Sequence, residues 1–513
     1  MDALNLRTCF VLVHLIVLGG AYMLFVKAQK LYLKWILAWI LITLGAYLSR
    51  NIWIFMGVMT AVAVFLSQES PVRKIAAYFF LLPAVPSHIY YELPGLIPGI
   101  RYWVEWTYPR MLSMLILFPL FCVLLLRRKP PVRGKKFFLL ATDLWIFLYV
   151  ALAVILAFRD PSLTGACRQV FILFLDYVVP YYVISRSLEE GKDFRQVFLA
   201  MVFSAVILCL VGLFEELRHW RLYGELDQFL GISSLGFKGS LYRQGLLRVT
   251  ATFGQPIVFG FFVTLALSGL VYLRREGVYP KIACLITGGL FFAILLLTLS
   301  RGPWVGTLLF FLTLWLLRPG ALLRQVGSRL FSLLLFVPFL ALLFMSTSLG
   351  VKIVRLLPFV GVDHAESVDY RWHLVQSAIP VVARHPLFGS PHFLKTDYME
   401  TLRTTEGIID VVNAYVAIAL ERGLVSLVLF LGIFLSLLVG ILRVGRSVPP
   451  GGGGGREPLG DFLLAQLVAV LFMIGTVSFI SFVPIYTWSV VAWSSAYLLV
   501  SQNRLSNLQG HPQ

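Results

Sequence analysis

Charge is what this chain has least of. Only 13% of its 513 residues are charged, about half the share of a soluble domain, while 59% are hydrophobic. Lipid, and not water, must therefore be the solvent for most of it, which excludes a soluble globular protein. Acids are scarcer than bases, 25 against 43, for a net charge of +18. Cysteine is also scarce. Cys9, Cys122, Cys167, Cys209 and Cys284 lie in or beside apolar runs without a CxxC pair, which argues against a disulfide framework or a thiolate metal site. They read as small apolar residues. The sequence has no HExxH, no evident nucleotide-sugar motif and no visible repeat at a 20 to 50 residue period, so an array is not expected. The first apolar run, Cys9 to Val26, lacks a small-residue cleavage pattern, and Lys27, Lys30 and Lys34 follow it instead of preceding it. It reads as a first span that is retained.

What is present is a succession of apolar runs from about 8–26 to about 486–501, among them 75–93, 330–349 and 462–482. They predict an all-α, polytopic membrane bundle of about 12–15 spans. N-terminal spans occupy 1–165 and a core with two long loops, 217–255 and 350–412, occupies 166–445. A glycine-rich loop at 446–461 cannot build a core, and further spans and a tail fill 462–513. Short loops rich in Lys and Arg alternate with basic-poor ones. The basic set (27–34, 73–74, 127–136, 186–195, 274–281, 318–329, 443–456 and 504) falls on one side, assigned to the cytoplasm. Both long loops then face outward.

Those outward loops are basic against the usual bias. One carries Arg218, Arg221, Lys238, Arg243 and Arg248, the other Lys352, Arg355, Arg371, Arg384, Lys395 and Arg403. Between them, Thr298-Leu299-Ser300-Arg301-Gly302-Pro303-Trp304-Val305-Gly306 joins two apolar runs with almost no loop. Arg301 keeps its charge at any biological pH and needs an anion. Headgroup phosphates would serve, and so would an anionic substrate in a basic outer pocket. Within the second loop, Val368, Trp372, Val375, Ile379 and Val382 recur at helical spacing, predicting an amphipathic helix over the membrane face. His364, His373, His385 and His392 lie near Asp363, Glu366 and Asp369 without tight ligand spacing and read as a solvated polar face, so no metal and no cofactor is expected. Asp176, inside a span, must face the protein interior, reads as a member of an ion pair and precedes Pro180, which predicts a local distortion. The aromatic run from Tyr90 to Trp106 reads as an interfacial belt.

The S-R-G-P-W-x-G string at 300–306, the Y-R-W-x-x-V-x-S-A-I-P-V-V-x-R-H-P-L-F-G string at 370–389, the R…G(x)P entry from Arg248 to Pro256, and Asp410-Val411-Val412-Asn413-Ala414-Tyr415 followed by Glu421-Arg422-Gly423-Leu424 together resemble the O-antigen ligase and polymerase superfamily of bacterial envelope glycosyltransferases. The resemblance covers about residues 170 to 440. It implies Arg301 and Arg371 as catalytic cations and Arg248, Asn413, Tyr415 and Glu421 as substrate-binding positions. One departure matters. The superfamily's H-N-x-Y histidine, the proton acceptor proposed for the ligases, is Val412 here, and valine neither takes nor gives a proton. That points toward the polymerase branch and leaves Asp410, two residues earlier, either as replacement base or as a helix cap.

The resemblance implies glycosyl transfer from a polyprenyl diphosphate-linked oligosaccharide, polymerising repeat units into an exopolysaccharide or O-antigen at the periplasmic face of a bacterial inner membrane. Membrane lipid, a chain-length regulator and a flippase are the expected partners, and nucleic acid is not. A ligase passing glycan to a lipid or protein acceptor is one alternative. A transporter of lipid-linked saccharide, suggested by Asp176 within a span, is another.

Overall fold

The computed structural model describes residues 3–26, 31–94, 102–126, 140–232, 241–243, 246–317, 363–403, 407, 409–447 and 458–509. In lipid every backbone N–H and C=O must find its partner within the segment, and an apolar chain satisfies that by coiling. The outcome is an all-α polytopic membrane protein. Its long helices are α1 (Ala3–Phe25), α2 (Leu31–Leu48), α3 (Ile52–Leu66), α4 (Pro71–Leu81), α5 (Tyr108–Leu126), α6 (Ala141–Ala157), α7 (Leu163–Ser187) and α8 (Gly191–Arg218). They continue with α9 (Pro256–Arg275), α10 (Lys281–Leu297), α11 (Arg301–Leu317), α12 (Asp363–Arg384), α13 (Ala414–Ser447), α14 (Pro458–Ile474) and α15 (Phe482–Gln509). Among the described residues, 7 helices are long and apolar enough to cross a membrane, and shorter apolar ones stand beside them. The expected run at 330–349 lies outside the described residues.

The centre of the bundle is aromatic: Trp35, Trp39, Trp488 and Trp493 are fully enclosed, and α8 and α9 are buried along most of their length. Large apolar side chains such as Phe10, Val64, Phe147 and Ile282 point outward, as a lipid solvent allows. Helix α11 lies along α14, α8 along α4, and α13 along α6.

One expectation is revised. The run at 75–93 is not one continuous span: α4 ends at Leu81, a 3-10 turn covers Leu82–Ala84, and Pro83 and Pro86 end the helical ladder by removing donors. The chain then forms an antiparallel hairpin, β1 (Tyr90–Pro94) with β2 (Tyr102–Thr107), so the aromatic run is a strand pair. Arg168 stacks 3.7 Å from the Tyr102 ring and donates to the Tyr102 carbonyl at 2.8 Å. Helix α12 forms where the spacing predicts it, and its packing adds a detail. Its protein-facing side chains are Leu374, Ala378 and Val381, packed with Met399, Leu402 and Leu420. Trp372 and Ile379, from the predicted apolar stripe, are 62% and 63% exposed and point away from the protein. Hydrophobic periodicity reveals the apolar face but not whether protein or lipid covers it.

The predicted distortion in α7 is present. Residues Phe174–Val178 form a π turn, and Asp176 accepts from Arg110 Nε at 3.0 Å. Arg110 also donates to the Glu105 carbonyl at 2.8 Å. Asp176 is thus half of an ion pair that keeps neither charge alone in the bundle.

Candidate active site

Turns of one parity meet at the end of the bundle opposite the basic loops. The first is the α10–α11 turn. Helix α10 stops where Leu299 takes a left-handed conformation, φ 47°, and α11 starts at Arg301. The second limb is the extended segment after the small hairpin β3 (Tyr242–Arg243) with β4 (Leu246–Leu247). From it, Arg248 Nε donates to the Thr298 carbonyl at 3.1 Å and Nη2 donates to Ser300 Oγ at 2.9 Å, while Val249 N–H donates to the Leu297 carbonyl at 3.4 Å. Arg248 therefore clasps the turn that presents Arg301, which starts the next helix half-buried. Glu215, at the end of α8, fixes this limb: its buried carboxylate accepts from the backbone N–H groups of Ala251 at 3.0 Å, Thr250 at 3.4 Å and Leu222 at 3.1 Å.

The third turn, 475–481, joins α14 to α15. Gly302 and Gly306 lie one helical turn apart on α11; Gly302 faces this turn and Gly306 faces the end of α14. A Cβ on Gly302 would run into Thr476 Oγ1 and approach Thr476 Cβ to 3.2 Å, and one on Gly306 would come within 2.5 Å of Met473. Glycine at these positions lets the two helices approach closely, as small residues do at contacts between membrane helices. The carbonyl of the same Thr476 accepts from Arg371 Nη2 at 3.2 Å. Gly302, the neighbour of Arg301, and Arg371 therefore both meet Thr476, one by packing and the other through a hydrogen bond.

Asp410 completes the group. Ser478 Oγ donates to its carboxylate. The Tyr370 hydroxyl donates to the Asp410 carbonyl at 2.9 Å and accepts from the Asp410 N–H at 3.1 Å. Burial raises the Asp410 carboxyl above its ordinary range, while the Ser478 hydrogen bond and the Arg371 charge pull it back down. Ser87 and Ser481 pair through their hydroxyls, and Thr252 Oγ1 donates to the Pro83 carbonyl at 2.8 Å, drawing the 83–88 turn against the same end.

The other sequence candidates are placed differently. Asn413 is the N-cap of α13, its Oδ1 accepting from Tyr415 N at 3.0 Å and Val416 N at 3.2 Å. The Tyr415 hydroxyl donates to the Leu471 carbonyl at 2.6 Å and ties α13 to α14. Val412 packs with Tyr370 and Val411 around the small apolar cluster beneath α12. Glu421 is exposed, two turns into α13, where the helix kinks at Gly423. Its carboxylate meets Arg422 at 3.4 Å and its carbonyl accepts from Arg159 at 2.9 Å. The segment 386–390 docks on that kink through Leu424 N to Pro386 O and Ser390 N to Leu420 O, both 2.8 Å, and Arg159 binds the carbonyls of Phe388 and Gly389. Glu421 thus takes part in this docking through its carbonyl.

Residues 283–431 match the family model described as O-antigen ligase. That match supports the O-antigen ligase and polymerase superfamily. It covers less than half of the chain and includes Arg301, Arg371 and Asp410. Arg248, Glu215, Thr476 and Ser478 lie outside it, although they hold the site together. No curated protein matches the chain. The superfamily match supports a membrane glycosyltransferase of the O-antigen ligase type.

Sequence reasoning missed Tyr370, Thr476, Ser478 and the role of Glu215. A signal existed for some of them: Thr476, Ser478 and Ser481 interrupt an apolar run without a charge, and Tyr370 adjoins Arg371. Nothing local in Glu215 distinguishes it from an ordinary carboxylate at a helix end.

Proposed function

We propose that the chain transfers glycosyl groups at the outer face of a bacterial inner membrane, from a polyprenyl diphosphate-linked oligosaccharide to a sugar hydroxyl, and that it polymerises repeat units. The observation that supports this is the meeting of the α10–α11 turn, α12 and the 475–481 turn: Gly302, the neighbour of Arg301, packs on Thr476, Arg371 donates to the Thr476 carbonyl, and Asp410 accepts from Ser478.

Departure of a diphosphate leaves negative charge that preorganised guanidinium groups stabilise, and Arg301 and Arg371 are the groups assigned to it. Arg248 acts as a positioning residue for Arg301 through Thr298 and Ser300. Asp410 accepts the proton of the attacking hydroxyl. Its raised affinity for a proton suits a base, and Ser478 and Tyr370 fix its orientation. A single displacement would invert the anomeric centre.

Val412 favours polymerase over ligase, because its side chain is engaged in apolar packing and offers no proton acceptor. Transport loses its main support, since Asp176 is paired with Arg110. The deciding test is purified protein in nanodiscs with a lipid-linked repeat unit and no nucleotide. Polymer of graded length supports the proposal; no turnover, or transfer of a single finished glycan to a lipid core, overturns it. In a deletion strain, single repeat units left on carrier lipid indicate a polymerase, whereas long unattached chains indicate a ligase.

A further inference from the structure

Helix α13 is broken at Gly423, whose φ of 81° and ψ of 175° lie outside helical geometry. In an unbroken helix the N–H groups of Leu424 and Val425 would donate to the carbonyls of Leu420 and Glu421. All four groups are partnered elsewhere. Leu424 N–H donates to the Pro386 carbonyl at 2.8 Å and Val425 N–H to the Leu387 carbonyl at 3.3 Å, while the Leu420 carbonyl accepts from Ser390 N–H at 2.8 Å. The fourth group, the Glu421 carbonyl, takes its donor from a side chain: Arg159 Nη2, at 2.9 Å. The same guanidinium reaches the docked segment, donating through Nη1 to the carbonyls of Phe388 at 2.8 Å and Gly389 at 3.0 Å. Its Nε donates at 3.3 Å to the Leu156 carbonyl at the end of α6. Arg159 thus completes the exchange of backbone partners and ties α6 to both sides of it.

The exchange defines two arrangements of one element. With the 386–390 segment docked, α13 is kinked; with the segment released, Leu424 and Val425 can close the helical ladder again, because glycine at 423 accepts either backbone. Backbone bonds are made in both arrangements. The charge-assisted bonds from Arg159 to Phe388 and Gly389 exist only in the docked one and bias the equilibrium toward it.

The docked segment continues from α12. At the other end of that helix Arg371 donates to the Thr476 carbonyl, about 20 Å from Arg384 at 1.5 Å per residue. Leu420, in the kink, packs with Leu374, Ala378 and Val381 on the protein face of α12. Straightening α13 would move Leu420 and release the C-terminal end of α12, so the lever that carries Arg371 would lose its support.

We propose that Arg159 is a positioning residue for the transfer reaction: by latching the 386–390 segment onto the α13 kink, it holds α12 in the orientation that keeps Arg371 at the Thr476 carbonyl. This rests on the glycosyltransferase reading above. Arg159 lies outside residues 283–431 that match the family model, whereas both segments it joins lie within them.

The test uses full-length protein in nanodiscs, as parent, Arg159→Ala and Arg159→Lys, read by hydrogen–deuterium exchange and by turnover of a lipid-linked repeat unit. In Arg159→Ala, exchange over 386–392 should quicken about tenfold while 418–428 stays slow, because the α13 ladder closes on itself. The kcat should fall about tenfold with the KM for the lipid-linked donor within about twofold, as displacement of a group that acts in the transition state requires. Arg159→Lys keeps the charge but not the fork that reaches three carbonyls, and should fall between parent and alanine variant in both readouts; it carries the same test if the alanine variant inserts poorly. Parental exchange over 386–392 in the variants overturns the latch. Faster exchange with parental kcat makes the contact structural only, which overturns the positioning role and leaves the glycosyltransferase reading standing. Full turnover in both Arg301→Ala and Arg371→Ala removes that reading and this proposal with it, even where the exchange result holds.

Discussion

The packing of Gly302 against Thr476 gives the sharpest prediction. A methyl group at 302 would overlap Thr476 Oγ1 and press Thr476 Cβ, so α11 and the 475–481 turn must separate by about 1 Å to restore ordinary contact distances. Overpacking of this kind costs about 1–3 kcal/mol. That is too little to prevent a bundle with this much buried apolar surface from inserting and folding. The effect on chemistry is larger. Arg301 moves with α11 and Arg371 stays with the Thr476 carbonyl, and a displacement of about 1 Å between catalytic groups costs about 10²-fold in rate. Gly302→Ala should therefore reach the membrane in parental amount, with turnover of lipid-linked repeat unit down about 10²-fold. Combining it with Thr476→Gly, which removes the obstructing side chain and keeps the carbonyl that holds Arg371, should recover most of that loss. Polymer synthesis in nanodiscs, followed by gel or chromatography, measures both. Parental activity in Gly302→Ala, or a double variant as inactive as the single one, would refute the argument that this packing sets the separation of the arginines.

Arg301→Ala and Arg371→Ala should each abolish polymer synthesis while the protein still inserts, and Lys at either position should restore little, because a point charge cannot reproduce bidentate contacts with a diphosphate; full activity in both alanine variants removes the site. Asp410 must be ionised to accept a proton, so activity falls as pH drops through its raised pKa; Ser478→Ala removes one of the interactions that lower that pKa and should move the acid limb of the rate profile to higher pH. An unmoved limb means another group is titrating. At Gly423, φ is 81° and ψ 175°, a conformation that costs other residues about 1–3 kcal/mol, and an added Cβ would strike the Leu387 carbonyl. Gly423→Ala should lower the thermal midpoint and open the 386–390 segment to protease, and an unchanged cleavage pattern counts against the docking described for it.

The sequence by itself determined the class of the protein, the positions of most helices and the arginines worth testing. The reason is local: in lipid each span must be apolar and must satisfy its own backbone, so a span is written in about 20 consecutive residues. The ion pair at Asp176 was legible on the same grounds, because a carboxylate inside a span needs a partner. Tertiary structure alone decided the rest. Arg371 meets Thr476 across 105 residues of chain and Arg248 meets Ser300 across 52, and no periodicity or local motif encodes contacts at that range. It also decided that Asn413 caps α13, that Tyr415 ties α13 to α14, that the Glu421 carbonyl accepts from Arg159, and that Trp372 and Ile379 face away from the protein. Hydropathy specifies what a side chain avoids, whereas packing of distant turns specifies what it touches.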